Sequence, residues 1–258
     1  MNTEKGLRMI QSFLSEQQVA DYHRDGYVIL KGLFTPREVE ILLGYVDLGK
    51  SGSGFGDAGG RKARLDFWSD TESTIWGAAS TCPRVVNSVR ILLGEEVAFF
   101  HGKVTLKEAQ TGGSWEWHQD YGYWYDQGYV FPRMLSAFAA LDRNGEDNGC
   151  LQVLRGSHKM GRLTHQQVQG QTGVDPKRLA DVERYFERVP VLLDLGDVLF
   201  FHCNTLHTSG PNTSTRHRRN FIMCYNALGN PQIGEKKTFQ QFPCVVGPDD
   251  VIERFSAR

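Results

Sequence analysis

Val97-Ala-Phe-Phe-His-Gly-Lys-Val-Thr-Leu-Lys107 reads as a β-strand, with Lys103, Thr105 and Lys107 on one face and Val104 and Leu106 on the other. Downstream the pattern stays short and apolar: residues 135–141, Leu151–Leu154, residues 189–193, Val198–His202 and residues 220–227, with a turn-forming stretch at 144–149. Repeated short β segments broken by Asn, Asp and Gly, without regular strand-helix-strand units, predict a sandwich or barrel.

Upstream the character is helical. Ser15 followed by Gln18 is an N-cap arrangement that opens a helix, which Gly26 stops; residues 27–30 form an apolar strand. Thr35, Pro36 and Glu38 supply the cap, the pre-set first turn and the capping-box acid of a second helix running through Val39, Leu42, Leu43 and Val46. A third starts at Pro83, uses Val86, Val89, Ile91 and Leu92, and ends at Gly94. Residues 49–60 hold six glycines with Ser51, Ser53 and Asp57, which predicts a mobile loop and a candidate lid. Residues 158–188 are polar and basic and read as an insertion, partly helical around 179–186, that shapes a pocket mouth.

Composition narrows the function classes. The 258 residues, 40% hydrophobic, suffice for one domain, 1–258, with a large core. Lys and Arg number 29 against 30 Asp and Glu, so no strong field attracts a polyanion, and nucleic acid is excluded as a partner. A small-molecule substrate is the expected partner; monomer and homodimer both remain open. The five cysteines are far apart, odd in number and form no CxxC pair, which points to free thiols in a reducing compartment. Neither a secretory leader nor an apolar run long enough to span a membrane is evident, and a soluble cytoplasmic protein is expected.

The strongest chemical signal is Trp117-His118-Gln119-Asp120. In an extended segment His118 and Asp120 share one side, so an imidazole and a carboxylate can meet one ion. A third ligand from a distant strand would complete a facial triad with three open positions. His207 is the natural donor, because Gly196-Asp197 and the apolar run Val198-Leu199-Phe200-Phe201 can return it beside the first pair. Arg218 follows eleven residues later with a planar fork suited to a carboxylate. Arg216 shares its face in an extended strand and is the competitor, whereas Arg219 faces away. Thr105 and Lys107 are candidates to reach a cofactor or substrate carboxylate, against the alternative of a solvated lysine.

These residues resemble the phytanoyl-CoA dioxygenase family of Fe(II)- and 2-oxoglutarate-dependent oxygenases. The similarity covers residues 25–227, most specifically His118-Gln119-Asp120, Asn148-Gly149-Cys150-Leu151 through Gly156-Ser157-His158-Lys159, Gly196-Asp197-Val198, and His207 with Arg218. It implies a mainly β fold with flanking helices, a cupin-like double-stranded β-helix or jelly roll. It further implies iron on His118, Asp120 and His207, and the distal carboxylate of 2-oxoglutarate on Arg218. Phe138 stands where the family commonly has a tryptophan near the cofactor, leaving an apolar wall without an indole N–H.

The expected reaction uses Fe(II), 2-oxoglutarate and O2 to hydroxylate an unactivated C–H bond of a small polar or amphiphilic metabolite, releasing succinate and CO2. A carboxylate on iron leaves no position for chloride, which disfavours halogenation. Desaturation, epimerisation and ring closure by the same oxidant are alternatives, as is a non-catalytic β-sandwich binding protein with a vestigial metal site.

Other groups are weighed against plainer roles. His158 reads as a structural turn residue, and His101 and His202, beside aromatic strand residues, as either core groups or groups standing just behind the metal ligands. Trp115, Trp117, Tyr121, Tyr123, Trp124 and Tyr125 would divide between core and pocket wall. Arg61, Arg64 and Arg133 are candidates for an anionic substrate or simple surface charge. Gly44 to Ser51 spells a P-loop, yet it begins inside an amphipathic helix and leads into a glycine-rich loop, so it reads as a helix C-terminus with Gly49 as terminator.

Overall fold

The computed structural model describes residues 11–46, 53–69, 71–234 and 242–256. The N-terminal elements form where their caps predict. Helix α1, Glu16–Asp25, has both halves of the Ser15/Gln18 capping box and ends at Gly26 in the left-handed region. Strand β1, Tyr27–Leu30, follows, then α2, Pro36–Gly44, capped reciprocally by Thr35 and Glu38. Helix α2 stops at Gly44 rather than continuing through Val46; the proposed Gly49 terminator lies outside the described residues.

The next elements correct the expectation of a mobile loop. Strand β2, Ser53–Gly56, pairs antiparallel with β3, Lys62–Trp68. The turn between them is fixed by Asp57, whose carboxylate accepts from the backbone N–H groups of Gly59, Arg61 and Ser114. Composition alone missed this because one well-placed carboxylate can order a turn that glycines leave free. The preceding part of the lid segment, 49–52, lies outside the described residues.

Helices α3, Ile75–Ser80, and α4, Pro83–Leu93, lead into β4, Val97–Lys107, and β5, Trp115–His118. Then come α5, Asp120–Asp126, β6, Met134–Ala140, and β7, Leu151–Leu154. The insertion holds a hairpin, β8 His165–Val168 with β9 Gln171–Val174, and helix α6, Pro176–Val182. Strands β10 Arg188–Pro190, β11 Val198–His202, β12 His207–Ser209 and β13 Arg218–Ala227 and helix α7, Val251–Ser256, complete the order.

The architecture is mixed α/β with three separate sheets, which corrects the mainly β, double-stranded β-helix expected above. The seven-stranded sheet runs β1-β11-β6-β13-β4-β3-β2, the four-stranded sheet β10-β7-β12-β5, and the third is the β8-β9 hairpin. In the two larger sheets the terminal strands do not pair with one another, and the third is a bare hairpin, so among the described residues no sheet closes into a barrel. The sequence pattern counts strands but cannot assign them to sheets, because partner choice depends on long-range register.

Both faces of the seven-stranded sheet are covered, which is why β6, MLSAFAA, is buried at every position. One face packs Leu135, Ala137, Ala139, Val198, Phe200, Phe221, Met223 and Tyr225 against Val39 and Leu42 of α2 and Val85, Val86 and Val89 of α4. The other brings Phe138, Leu199, Phe201 and Ile222 into one cluster with Leu151 and Val153 of the four-stranded sheet. The site opens on this second face. Gly196 precedes β11 with φ 81°, and a Cβ there would collide with the Phe34 carbonyl, so a side chain is excluded on two counts. Among the described residues no helix is long and apolar enough to cross a membrane.

Candidate functional site

His118 ends β5 and His207 begins β12, and the two are directly paired across that ladder. Their ring centroids lie 4.1 Å apart. The geometry of Asp120 corrects one step of the sequence argument: it is not the next alternate position of a strand but the first residue of α5. It turns inward because Gln119 is pinned between segments. The Gln119 amide donates to the carbonyls of Gly161 and Asn204 and accepts from Leu163 N–H, while the Tyr121 N–H donates to the Cys203 carbonyl. One ligand atom from each of His118, Asp120 and His207 lies within 4.8 Å of the other two.

Hydrogen bonds set the imidazoles for coordination. His118 Nδ1 is 2.7 Å from the Glu116 carbonyl and His207 Nδ1 is 2.9 Å from the Thr205 carbonyl. A carbonyl only accepts, so each Nδ1 carries the proton and each Nε2 keeps its lone pair. Burial lowers the pKa of both rings, for His118 well below the usual range, aided by the neighbouring His207. For Asp120 burial pushes upward, but Lys103, the two imidazoles and the Ser136 hydroxyl outweigh it and hold the carboxyl at about 2. Ser136 Oγ donates to Asp120 Oδ2 at 2.6 Å, and Lys103 Nζ stands 4.0 Å from Oδ1. Two neutral nitrogen donors and one carboxylate form a 2-His-1-carboxylate triad, a donor set that fits a divalent iron-type cation and leaves positions open.

The triad lines a cavity of about 490 Å³ that also touches Thr105, Phe138, Ser209 and Arg218. Arg218 is 2% exposed. It donates to the Gly149 carbonyl, and the Asn220 amide, with its oxygen turned to Nε, accepts at 3.0 Å. Its Cζ lies 6.0 Å from the Phe138 ring centroid. Burial lowers its pKa to about 10, still charged at neutral pH. The rival Arg216 instead pairs with Asp147 at 2.8 Å on the exposed side.

Thr105 and Lys107, adjacent on one face in sequence, part company here. Thr105 Oγ1 is buried without a hydrogen-bond partner and lines the cavity. Lys107 is fully buried, does not line it, and donates to the Ser209 carbonyl and hydroxyl and the Gly210 carbonyl. It therefore positions Ser209, whose Oγ accepts from Lys107 at 2.7 Å and keeps its own proton to donate.

The aromatic run divides as well. Trp115, Tyr123 and Trp124 line the cavity; Tyr121 joins the inner core, Trp117 packs under Arg188, and Tyr125 lies beneath Arg162. Hairpin β8-β9 contributes Gln167, Gly170, Gln171 and Thr172 to the cavity wall. Arg61, Arg64 and Arg133 do not line it; Arg64 faces Glu108 and Arg133 pairs with Glu95. His158 lies by the His23 carbonyl and near His202, away from the triad. His101, for which the sequence left open a core place or one near the ligands, is in the cavity wall, and so are Lys103 and Ser209, which sequence reasoning passed over as site residues. Lys103 was accessible through its shared strand face with Thr105; nothing local marked Ser209.

Comparison with known proteins agrees with this geometry. Residues 4–220 match the family phytanoyl-CoA dioxygenase (PhyH). The chain is 31% identical over 240 residues to an ectoine dioxygenase of Bordetella bronchiseptica, covering 84% of this chain and 77% of that protein. An L-proline trans-4-hydroxylase of Streptomyces griseoviridis is 27% identical over 164 residues, covering 57% of this chain and 61% of its own length. Among solved structures, EctD from S. alaskensis with 2-oxoglutarate and 5-hydroxyectoine superimposes with a TM-score of 0.72 at 25% identity, covering 90% of this chain and 83% of EctD. The chain belongs to the phytanoyl-CoA dioxygenase family and is an Fe(II)/2-oxoglutarate-dependent dioxygenase acting on a small metabolite.

Proposed function

We propose that His118, Asp120 and His207 hold Fe(II), that 2-oxoglutarate is bound with its distal carboxylate on Arg218, Thr105 and Ser209, and that the described residues build one catalytic domain. The observation that carries this reading is the convergence of three ligand atoms in a cavity whose wall also holds a buried arginine. His207 and Ser209 stand two residues apart on β12, so the metal end and the carboxylate end are separated by ~7 Å of strand. That spacing suits a five-carbon dicarboxylate. Bound there, Fe(II), 2-oxoglutarate and O2 supply an oxidant strong enough to hydroxylate an unactivated C–H bond, with release of succinate and CO2.

The chain's own contribution is orientation and exclusion. Glu116 and Thr205 carbonyls fix the ring tautomers, and Ser136 engages one oxygen of Asp120, leaving the other for the ion. Phe138, Ile222, Leu151 and Phe201 keep the surrounding wall apolar, which strengthens the Arg218 interaction by excluding water. Hairpin β8-β9, tied to β5 by Gln171, covers one side; Gln171 Oε1 accepts from Glu116 N–H and its amide donates to the Ser114 and Gly56 carbonyls. Five buried free thiols support a reducing compartment such as the cytoplasm.

Anaerobic addition of Fe(II) and 2-oxoglutarate tests the reading. A visible metal-to-ligand charge-transfer band, together with oxygen-dependent succinate formation lost in Asp120→Ala, is expected. A folded wild-type protein giving neither would overturn it.

A further inference from the structure

We propose that the substrate carries a small oxyanion, in the simplest case a carboxylate, recognised by the Lys103 ammonium and the His101 imidazole N–H. The inference rests on the metal and cosubstrate sites proposed above and adds the chemistry of what binds beside them.

Strand β4 presents Thr105, Lys103 and His101 to the cavity in that order, ~7 Å per alternate position. Thr105 stands level with Asn220, two residues from Arg218, and so belongs to the cosubstrate end; Lys103 stands at Asp120. His101 is one step further, beyond the metal from the cosubstrate. A bulge at Phe100, where the β4-β13 register shifts, allows Phe100 and His101 to contact Trp124 together. The His101 ring lies between Trp124 and Phe67, each 6.1 Å away by centroid.

Both polar groups have unused hydrogen-bonding capacity. His101 Nδ1 is buried without a partner. A proton there would be an unsatisfied buried donor, the costlier arrangement, so the proton belongs on Nε2, which is left to serve a ligand. Burial and the nearby Lys103 push the ring's pKa to about 3, so it binds as the neutral donor. Lys103 differs sharply from Lys107. Lys107 has three protein acceptors, whereas among the described residues the Lys103 ammonium, its side chain 19% exposed, has only Asp120 Oδ1 at 4.0 Å, the outer limit of an ion pair.

Charge completes the case. Fe(II), the Asp120 carboxylate, the two carboxylates of 2-oxoglutarate, Arg218 and Lys103 leave the loaded site net positive in a largely apolar cavity. A monoanionic substrate removes that excess, which a neutral one does not. The cavity of about 490 Å³ must hold the cosubstrate too, so the anion's body is small and lies against Phe67 and Trp124.

The test uses the anaerobic Fe(II)·2-oxoglutarate holoenzyme at saturating cosubstrate, with trifluoroacetate as a fluorine-19 NMR probe and trifluoroethanol as its neutral counterpart. Saturable broadening of trifluoroacetate, competed by acetate but not acetamide, is expected. Lys103→Met and His101→Phe should each weaken it about tenfold or more with the charge-transfer band kept, and Lys103→Arg should restore it. The proposal is overturned by absence of saturable broadening in the wild type, by equal response of the neutral probe, by unchanged binding in both variants, or by Lys103→Met weakening 2-oxoglutarate alone. Failure of the underlying site would appear separately, as a wild-type protein without the charge-transfer band.

Discussion

The two faces of the seven-stranded sheet are built from the same strands one residue out of step, yet they solve different problems. On the helix-backed face Ala137, Phe200, Phe221 and Met223 close by apolar packing, and the hydroxyl of Tyr225 among them donates to the Ser80 carbonyl at 2.6 Å. On the other, Ser136, Thr105, Arg218 and Asn220 are buried as well, and each polar atom needs a partner. Most have one in the protein. Two that do not, Thr105 Oγ1 and His101 Nδ1, belong to residues of the cavity wall. Stability and chemistry are thus separated by a single step along each strand.

The largest effect expected from breaking this division is at the triad. His118→Ala or Asp120→Ala should lower iron-dependent 2-oxoglutarate turnover by more than ~100-fold, since even residues that only orient metal ligands typically cost 10–100-fold. Succinate assay and Fe(II) titration of the purified variants check this. On the opposite face, Phe221→Ala removes a fully buried ring stacked 5.1 Å from Trp68. It should destabilise the fold by about 3–5 kcal/mol in denaturant titration. The folded fraction should keep the charge-transfer band of the wild type; loss of the band would show that the two faces are coupled.

Arg218→Met sharpens the comparison within the cavity face. It should raise the 2-oxoglutarate concentration for half-saturation by about tenfold or more without shifting the band position, because the charge-assisted contact proposed for the distal carboxylate would lie away from the metal. The smallest expected effect is in the pH dependence of stability. His202 has its pKa lowered to about 4 by burial and by the nearby His158 and His23. The unfolded chain therefore binds the proton first, so the contribution is complete above about pH 6.5 and is lost as pH falls towards 4. His202→Asn should flatten stability over that window, measured by urea unfolding at successive pH values; an unchanged slope would contradict the assignment.

Legibility followed the range of the interaction. The capping boxes at Ser15 and Thr35, the Pro83 start and the Gly26 and Gly94 stops are contacts within one or two turns, and they stand where the sequence places them. Strand β4 was readable from alternation. Hairpin β2-β3 was not, because Asp57 orders its turn partly through Ser114, 57 residues away. The same limit separated Thr105 from Lys107: alternation puts both on one face, but only the position of Ser209 and Gly210 shows that Lys107 is already engaged.

By itself the sequence determined which side chains could meet a metal and a dicarboxylate, because imidazole, carboxylate and guanidinium chemistry is intrinsic to the residue. It also determined the local helices and strands, whose caps and periodicities are short-range. Only the tertiary structure decided that the strands divide into three open sheets, that Asp120 reaches the triad from a helix start, and that Lys103 and His101 line the cavity. Those outcomes depend on register and packing between segments distant in the chain, where the free energy belongs to pairs of elements and not to either one alone.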